Sequence, residues 1–429
     1  MAFRFLHIGD LHLETAFGGA EATRRRLRDA TREALRRAVD CCIEEEVHAL
    51  LIAGDAFDDE KLSLGAADYF LQQLDRLVDR GIHVFYVTGN HDPGNKGGRA
   101  EEMRFLEAPE RVGPEAGLWI FRRGTPRATT LLDAAGEPVA VVLGAGHSKA
   151  NVSTNLASRF QRPETHLPVV GLLHTQVEAA QVSDAHDRYA PSQRSDYEAA
   201  GLEYWALGHV HLRQQVFDDL PVWYCGNLQG RHPKETGPKG GLLVEVHAGE
   251  APTVRFQPLA PVEWHTHPVN QLQAVLSRDG LLSLLQNALQ ALETQTGLAP
   301  QDLCVRLVPS GPCPFAGLLL RTEERNALAL ELQEAGGYLE IQIRAEQVFA
   351  PRDLSDLEAT PSVQREALDW IRRLQDDDAA LLQLAPSELP GADSSVEATT
   401  QARLAYLRDR LQGLEEELLT RCFDPEAWA

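Results

Sequence analysis

Five short apolar runs, each stopping at a residue able to bind a metal ion, constrain this chain more than any other feature. Phe3 to Ile8 leads into Asp10-Leu11-His12, and Ala49 to Ala53 into Gly54-Asp55. Val84 to Val87 precedes Gly89-Asn90-His91-Asp92, Val169 to Leu173 ends at His174, and Tyr204 to Leu207 leads into Gly208-His209-Val210-His211. Apolar runs of this length, bounded by Gly and polar residues, read as buried strands. Helical stretches over about 21–46 and 64–80 separate the first three, the second closed by Gly81. Strand and helix in alternation imply a βαβ core with a largely parallel sheet. Hairpin-like signals from Arg122 to Val142 make the arrangement mixed.

In open α/β sheets, ligands bind beyond the carboxyl ends of the strands. Five adjacent strand ends would therefore pool two Asp, one Asn and four His, together with the His91-Asp92 pair. Carboxylate, imidazole and amide oxygen suit Mn²⁺, Fe or Zn²⁺ better than a copper site or an all-oxygen Ca²⁺ cage. The donors are too many for one ion. Two ions about 3.5–4 Å apart, sharing one carboxylate, would use them all. Gly before Asp55, Asn90 and His209 fits strand-to-loop turns whose dihedrals are open only to Gly. Such a centre makes hydroxide from water at neutral pH and stabilises a phosphoryl group during in-line displacement. His91 is not needed as a ligand and is the natural residue to assist the leaving oxygen, with Asp92 fixing its tautomer.

The order D-x-H, G-D, G-N-H-D, a lone H and G-H-x-H resembles the calcineurin-like metallophosphoesterase superfamily, over roughly residues 1 to 260. The resemblance implies one metal on Asp10, His12, Asp55 and His211 and another on Asp55, Asn90, His174 and His209, with Asp55 as the bridge. The opening Phe-Leu-His-Ile-Gly-Asp-Leu-His-Leu, Gly-Asp-Ala-Phe-Asp, Ala-Leu-Gly-His-Val-His and Tyr-Cys-Gly-Asn-Leu-Gln-Gly-Arg-His are similar to the SbcD branch of DNA repair nucleases, the YhaO type above all. That likeness implies an α/β fold: a metallophosphoesterase sandwich of mixed β sheets flanked by helices, then a small α/β capping domain and a helical C-terminal tail. It implies Mn²⁺ as the working ion, DNA as substrate, a homodimer, and an SMC-like coiled-coil ATPase of the SbcC type as partner. Where the branch often has Pro-Gly-Ser, this chain has Cys225-Gly226-Asn227. Arg231 and His232, just beyond, stand either as phosphate binders or as a surface turn. A phosphoesterase for nucleotides or phosphoproteins, and a DNA-end-binding scaffold with a vestigial metal site, are the competing readings.

Domain limits follow from composition. The Pro-rich stretch Pro258 to Pro268 marks a boundary, giving a nuclease domain at 1–262 and a capping domain at 263–348. The second reads helix (281–292), strand (303–308), helix (323–334), strand (338–343). The region 349–429 is helical, with a linker from Pro386 to Ser395. It holds 8 basic and 17 acidic residues, part of a net charge of -22, so it more plausibly meets protein than nucleic acid. Leu404, Leu407, Leu411, Leu414 and Leu418 form a two-heptad seam, for a coiled-coil partner or for the neighbouring helix at 364–384. Seven Arg between Arg24 and Arg37 crowd one helix; pairing with Glu21, Asp29, Glu33 and Asp40 on a water-facing side is favoured over a phosphate ridge. Of the remaining His, only His186, on the Asp184 to Asp187 stretch, stands near other candidate ligands. Six Cys without C-x-x-C spacing exclude a disulfide framework, and Cys41 and Cys42 read as packing residues. No run approaches the roughly 18 apolar residues of a membrane span. With Arg4 and His7 inside the opening apolar run, the expectation is a cytoplasmic protein.

Overall fold

The computed structural model describes residues 2–58, 64–94, 117–133, 135–181, 189–351, 362–384, 396–411, 414, 415 and 418. His186 and the Pro386 to Ser395 stretch lie outside the described residues. Two compact units emerge, Met1–His265 with Asp302–Cys304, and Thr266–Gln301 with Val305–Ala429.

The first unit carries twelve described strands: β1 (Phe3–Ile8), β2 (Ala49–Ile52), β3 (His83–Val87), β4 (Leu118–Phe121), β5 (Arg127–Leu132), β6 (Pro138–Ala145), β7 (Val169–His174), β8 (Tyr204–Gly208), β9 (Gln214–Phe217), β10 (Leu220–Tyr224), β11 (Gly240–Val246) and β12 (Thr253–Pro258). Its described α-helices are α1 (Glu21–Glu44), α2 (Leu64–Val78) and α3 (Arg194–Ala200). The strands form two six-stranded sheets, ordered β12-β11-β1-β2-β3-β4 and β5-β6-β7-β8-β10-β9. Each is mixed. β1 to β4 run parallel, with β11 and β12 antiparallel beside them. β6, β7, β8 and β10 run parallel, flanked by antiparallel β5 and β9.

Period-two alternation decides the layers. On β1, Phe3 and Phe5 enter a core shared with Val170, Leu172, Tyr204 and Ala206 of the other sheet, so the sheets stack face to face. Leu6 and Ile8 point the other way, into a core closed by Leu35, Val39 and Cys42 of α1 and Phe70 and Leu74 of α2. The far side of the second sheet is covered by Leu156, Phe160 and Tyr197. The result is helix, sheet, sheet, helix. His7 joins the sheets: its Nε2–H donates to the Leu207 carbonyl (3.2 Å) and its Nδ1 accepts from the Tyr204 hydroxyl (3.1 Å). Burial lowers its pKa to about 3, so it stays neutral.

Helix α1 spends its Arg residues on ion pairs. Arg24 meets Glu21 (2.5 Å), Arg36 meets Asp40 (2.6 Å), Arg37 meets Glu33 (2.6 Å) and Arg32 meets Glu14.

A four-stranded sheet, most of whose residues belong to the second unit, is made of β13 (Glu263–Val269), β14 (Leu303–Pro312), β15 (Glu340–Ile343) and β16 (Gln347–Phe349), ordered β13-β14-β15 with β16 against β14. The described α-helices of the second unit are α4 (Arg278–Thr296), α5 (Ala316–Leu320), α6 (Thr322–Gly336), α7 (Val363–Asp376), α8 (Asp378–Gln383) and α9 (Val396–Leu411). The Pro-rich stretch is therefore not loop throughout. β13 runs through it, and an edge strand tolerates Pro268 because one of its sides needs no ladder hydrogen bond. Leu404, Leu407 and Leu411 pack with Leu374 and Leu381, so the first three seam leucines are covered by the chain's own helices. Among the described residues no helix is long and apolar enough to cross a membrane.

Candidate metal centre

All seven residues expected as metal ligands meet at one rim of the sandwich. Asp10 and His12 follow β1, Asp55 follows β2 and Asn90 follows β3, all from the first sheet. His174 ends β7, and His209 and His211 follow β8, from the second. All seven are buried. Backbone hydrogen bonds lock the loops together: Asp10 N donates to Gly54 O, His12 N to Asp55 O, and Ala53 N to Ile8 O.

Four of these residues, Asp10, His12, Asp55 and His209, hold positive φ of 49°, 46°, 48° and 99°. Non-glycine residues in that region are costly, and such strain gathers at functional sites. The neighbouring glycines serve a different need from the one expected at Asn90. A Cβ on Gly89 would lie 2.1 Å from Asp55 Oδ1, so that position requires close approach and not a left-handed backbone. Gly54, with φ +93°, requires both.

The side chains face one another acceptor to acceptor. His174 Nδ1–H donates to Ala53 O at 2.8 Å, which leaves Nε2 bare in the neutral ring. That Nε2 points at Asn90 Oδ1 (2.9 Å) and Asp55 Oδ2 (3.3 Å), both acceptors. His209 Nδ1 is 3.1 Å from the same Asn90 oxygen. Nearby, His12 Nε2 and His211 Nε2 stand 3.2 Å apart. Bare lone pairs buried this closely need a positive charge between them. Without a metal the charge is a proton. Burial opposes it, but Asp55 and Asp10 hold the His174 pKa up at about 9. Burial likewise opposes ionisation of Asp55, yet His174 and His12 outweigh it and hold Asp55 well below the usual carboxylate range. Asp10 goes the other way, raised to about 7 by burial and by the charge of Asp55.

Among the described residues three donor groups result: Asp10, His12 and His211; Asp10, Asp55 and His174; and, nearer the surface, His12, Asp58 and His91. Asp55 Oδ2 lies 4.0 Å from His12 Nε2 and 3.3 Å from His174 Nε2, between the first two. The donor set, its burial and its converging lone pairs fit a pair of divalent cations.

Asp92 does not fix the His91 tautomer, contrary to the expectation from sequence. Its Oδ2 accepts from Ala56 N (2.6 Å) and from the Tyr86 hydroxyl, and its Oδ1 accepts from Gly89 N (2.6 Å). It is a buried clamp on the two loops that carry Asp55 and Asn90. The carboxylate at His91 is Asp58, whose Oδ1 lies 3.1 Å from His91 Nδ1. Geometry decides this: the Asp92 oxygens are occupied by backbone amides, whereas Asp58 lies beside the ring of His91. Asp58 stands three residues after Asp55 in Gly-Asp-Ala-Phe-Asp, and that spacing is its only signal.

Glu235 was also unforeseen. Its Oε1 lies 2.7 Å from His211 Nδ1, and its Oε2 accepts from Arg231 N (2.7 Å) and Asn227 Nδ2 (2.8 Å). Arg231 reaches the rim, with Nη2 3.3 Å from His211 Nδ1 and Nη1 3.7 Å from Asp58 Oδ2. His232 is 39% exposed, with Nε2 3.4 Å from Glu235 Oε1. His147 supports His174 from behind, Nε2–H to the His174 carbonyl at 2.8 Å.

A family model described as calcineurin-like phosphoesterase matches residues 3–213. Over 316 residues the chain is 33% identical to the uncharacterized metallophosphoesterase YhaO of Bacillus subtilis, covering 72% of each protein. The chain belongs to the calcineurin-like metallophosphoesterase family. This metallophosphoesterase is also 28% identical over 260 residues to the DNA double-strand break repair protein Mre11 of Aeropyrum pernix, covering 58% of this chain and 59% of that protein. To the SbcD component of the nuclease SbcCD of Bacillus subtilis it is 25% identical over 240 residues, covering 50% of this chain and 58% of that one. The family uses a dimetal site, and this metallophosphoesterase has residues able to hold one.

Proposed function

We propose that this chain is a dimetal-dependent DNA phosphodiesterase, the nuclease component of a DNA repair complex. The observation that carries the reading is the buried convergence of Asp10, His12, Asp55, Asn90, His174, His209 and His211, in which His12 faces His211 and His174 faces Asn90 and Asp55 with lone pairs that call for cations. The named roles of the relatives, DNA double-strand break repair and a nuclease, support DNA over a small phosphoester.

Two bound divalent ions, with Mn²⁺ the proposed pair, would supply an activated water and neutralise charge on the phosphoryl group. This chain's residues do the rest. His91 is 31% exposed and so reaches arriving substrate, unlike the buried ligand set. With the Asp58 carboxylate beside Nδ1 to favour the protonated ring, it is the group that passes a proton to the departing sugar oxygen. Asp92 keeps the Asp55 and Asn90 loops at fixed separation. Arg231 and His232 stand at the rim as phosphate contacts.

In this reading residues 1–262 form the nuclease domain, 263–348 the capping domain and 349–429 a region for protein contacts. A cytoplasmic home, a homodimer and an SMC-like ATPase of the SbcC type complete it. The test is digestion of end-labelled duplex and single-stranded DNA with and without Mn²⁺, beside a nitrophenyl phosphodiester and monoester, with Asp55→Ala as control. Metal-dependent cleavage of DNA that Asp55→Ala abolishes is expected. Turnover of monoesters alone sinks the DNA reading, and DNA binding without hydrolysis leaves only a scaffold.

A further inference from the structure

His147 follows β6, a strand that carries none of the candidate metal ligands. β6 lies parallel beside β7, with Ala145 in register with Leu173. Gly146 thus leaves the second sheet level with His174, and His147 comes next. It is fully buried.

Four hydrogen bonds, each of 2.8 Å, make His147 a joint between the two sheets. Its backbone N–H donates to the Thr88 carbonyl. Its own carbonyl accepts from Thr88 Oγ1 and from Gly94 N. Thr88 and Gly94 flank Gly89-Asn90-His91-Asp92, so one oxygen grips both ends of the turn that presents Asn90 and His91. The ring Nε2–H donates to the His174 carbonyl, and since a carbonyl only accepts, that nitrogen carries the proton. The joint is close-packed. A Cβ on Gly146 would lie 1.9 Å from the Phe121 carbonyl oxygen and 2.5 Å from Thr88 Oγ1.

We infer that His147 is a positioning residue that sets the affinity for one ion of the pair, the ion that Asn90, His174 and His209 would hold. The inference rests on the reading of the seven donors as a two-ion centre and adds a support that coordinates nothing itself. Asn90 Oδ1 lies 2.9 Å from His174 Nε2 and 3.1 Å from His209 Nδ1. Asn90 rides on the first sheet and His174 on the second, and His147 bonds to the carriers of both. Ligands fixed in place beforehand spare the ion the cost of ordering them. Asp10, His12 and His211 have other supports: the first two donate their backbone N–H to Gly54 O and Asp55 O, and Glu235 holds His211. Loss of His147 should therefore fall on one ion and spare the other.

The test is equilibrium titration of Mn²⁺ into the full, chelator-treated chain, with free Mn²⁺ read by electron paramagnetic resonance. Wild type is expected to bind two ions. In His147→Ala one affinity should fall about 10–100-fold while the other stays near wild type. The spared ion should be the one that His174→Ala retains. His147→Gln, whose side-chain N–H can still donate to the His174 carbonyl, should recover most of the loss. Unchanged affinities in His147→Ala, equal weakening of both ions, or no recovery in His147→Gln overturn the role. Should His147→Ala not fold, Thr88→Val decides. It removes only the hydroxyl that donates to the His147 carbonyl and should weaken the same ion about fivefold, the worth of one hydrogen bond. Unchanged affinities in that variant overturn the role as well. A wild-type chain that binds fewer than two Mn²⁺ overturns the two-ion reading itself, and the role of His147 with it.

Discussion

Glu235 Oε1 lies 2.7 Å from His211 Nδ1, and this contact sets which nitrogen of His211 is bare. A carboxylate accepts only, so Nδ1 carries the proton and Nε2 faces His12 Nε2 at 3.2 Å. The Arg231 guanidinium, at 3.3 Å from the same Nδ1, is the weaker neighbour. Partners of this kind orient a ligand and raise its basicity. Glu235→Gln should therefore weaken Mn²⁺ binding about 10–100-fold. Calorimetric titration of Mn²⁺ into the chelator-treated protein measures it, and an unchanged affinity would remove Glu235 from the centre.

Asp58 and Asp92 should separate cleanly. Asp58→Asn takes the negative charge from beside His91 Nδ1 and should lower turnover of a phosphodiester by about 10²-fold or more, as loss of a proton donor's support does. Its thermal stability and Mn²⁺ affinity should stay near wild type. A full kcat across the pH range in Asp58→Asn would break the pairing with His91.

Asp92→Ala should act on stability. The substitution orphans two buried amides, Ala56 N and Gly89 N, at about 1–3 kcal/mol each. Urea unfolding should show a loss of roughly 2–6 kcal/mol. A midpoint unmoved from wild type is the contrary result.

His7 predicts acid sensitivity. Its folded pKa of about 3 lies below the ordinary 6.5, so between those values the unfolded chain binds the extra proton. Stability from this residue is present above pH 6.5 and is lost as pH falls toward 3. In His7→Gln the proton uptake on unfolding near pH 5 should drop by about one, read from the pH dependence of the unfolding free energy. An identical slope in both proteins would show that His7 is not buried neutral.

Divalent metal should stabilise the fold. Ligands drawn from both sheets bind the cation only when folded, so Mn²⁺ at about 100 times its Kd should add about 2.7 kcal/mol. Differential scanning calorimetry with and without chelator tests this, with Asp55→Ala losing the shift.

The strand ends were legible because each is a local event: an apolar run, then a polar break. Asp10, His12, Asp55, Asn90, His174, His209 and His211 announce themselves that way, and so do the sheet arrangement and α1 and α2. Asp58 and Glu235 did not, because their role exists only once His91 and His211 arrive from 33 and 24 residues further along or back. Asp92 departs from its sequence expectation for the converse reason. Its adjacency to His91 in the chain suggested contact, while the loop turns its carboxylate inward to backbone amides. In the second unit, β16 is three residues long and β13 contains Pro268, so neither carried a readable strand pattern.

The two sheets contribute unequal halves of the metal cluster in a fixed order of synthesis. Asp10, His12, Asp55 and Asn90 emerge from the ribosome first, and His174, His209 and His211 follow more than eighty residues later. A growing chain thus cannot hold the full donor set until translation has passed residue 211. A chain that stops before that point lacks at least His211, the residue that faces His12 Nε2, and so carries an incomplete donor set.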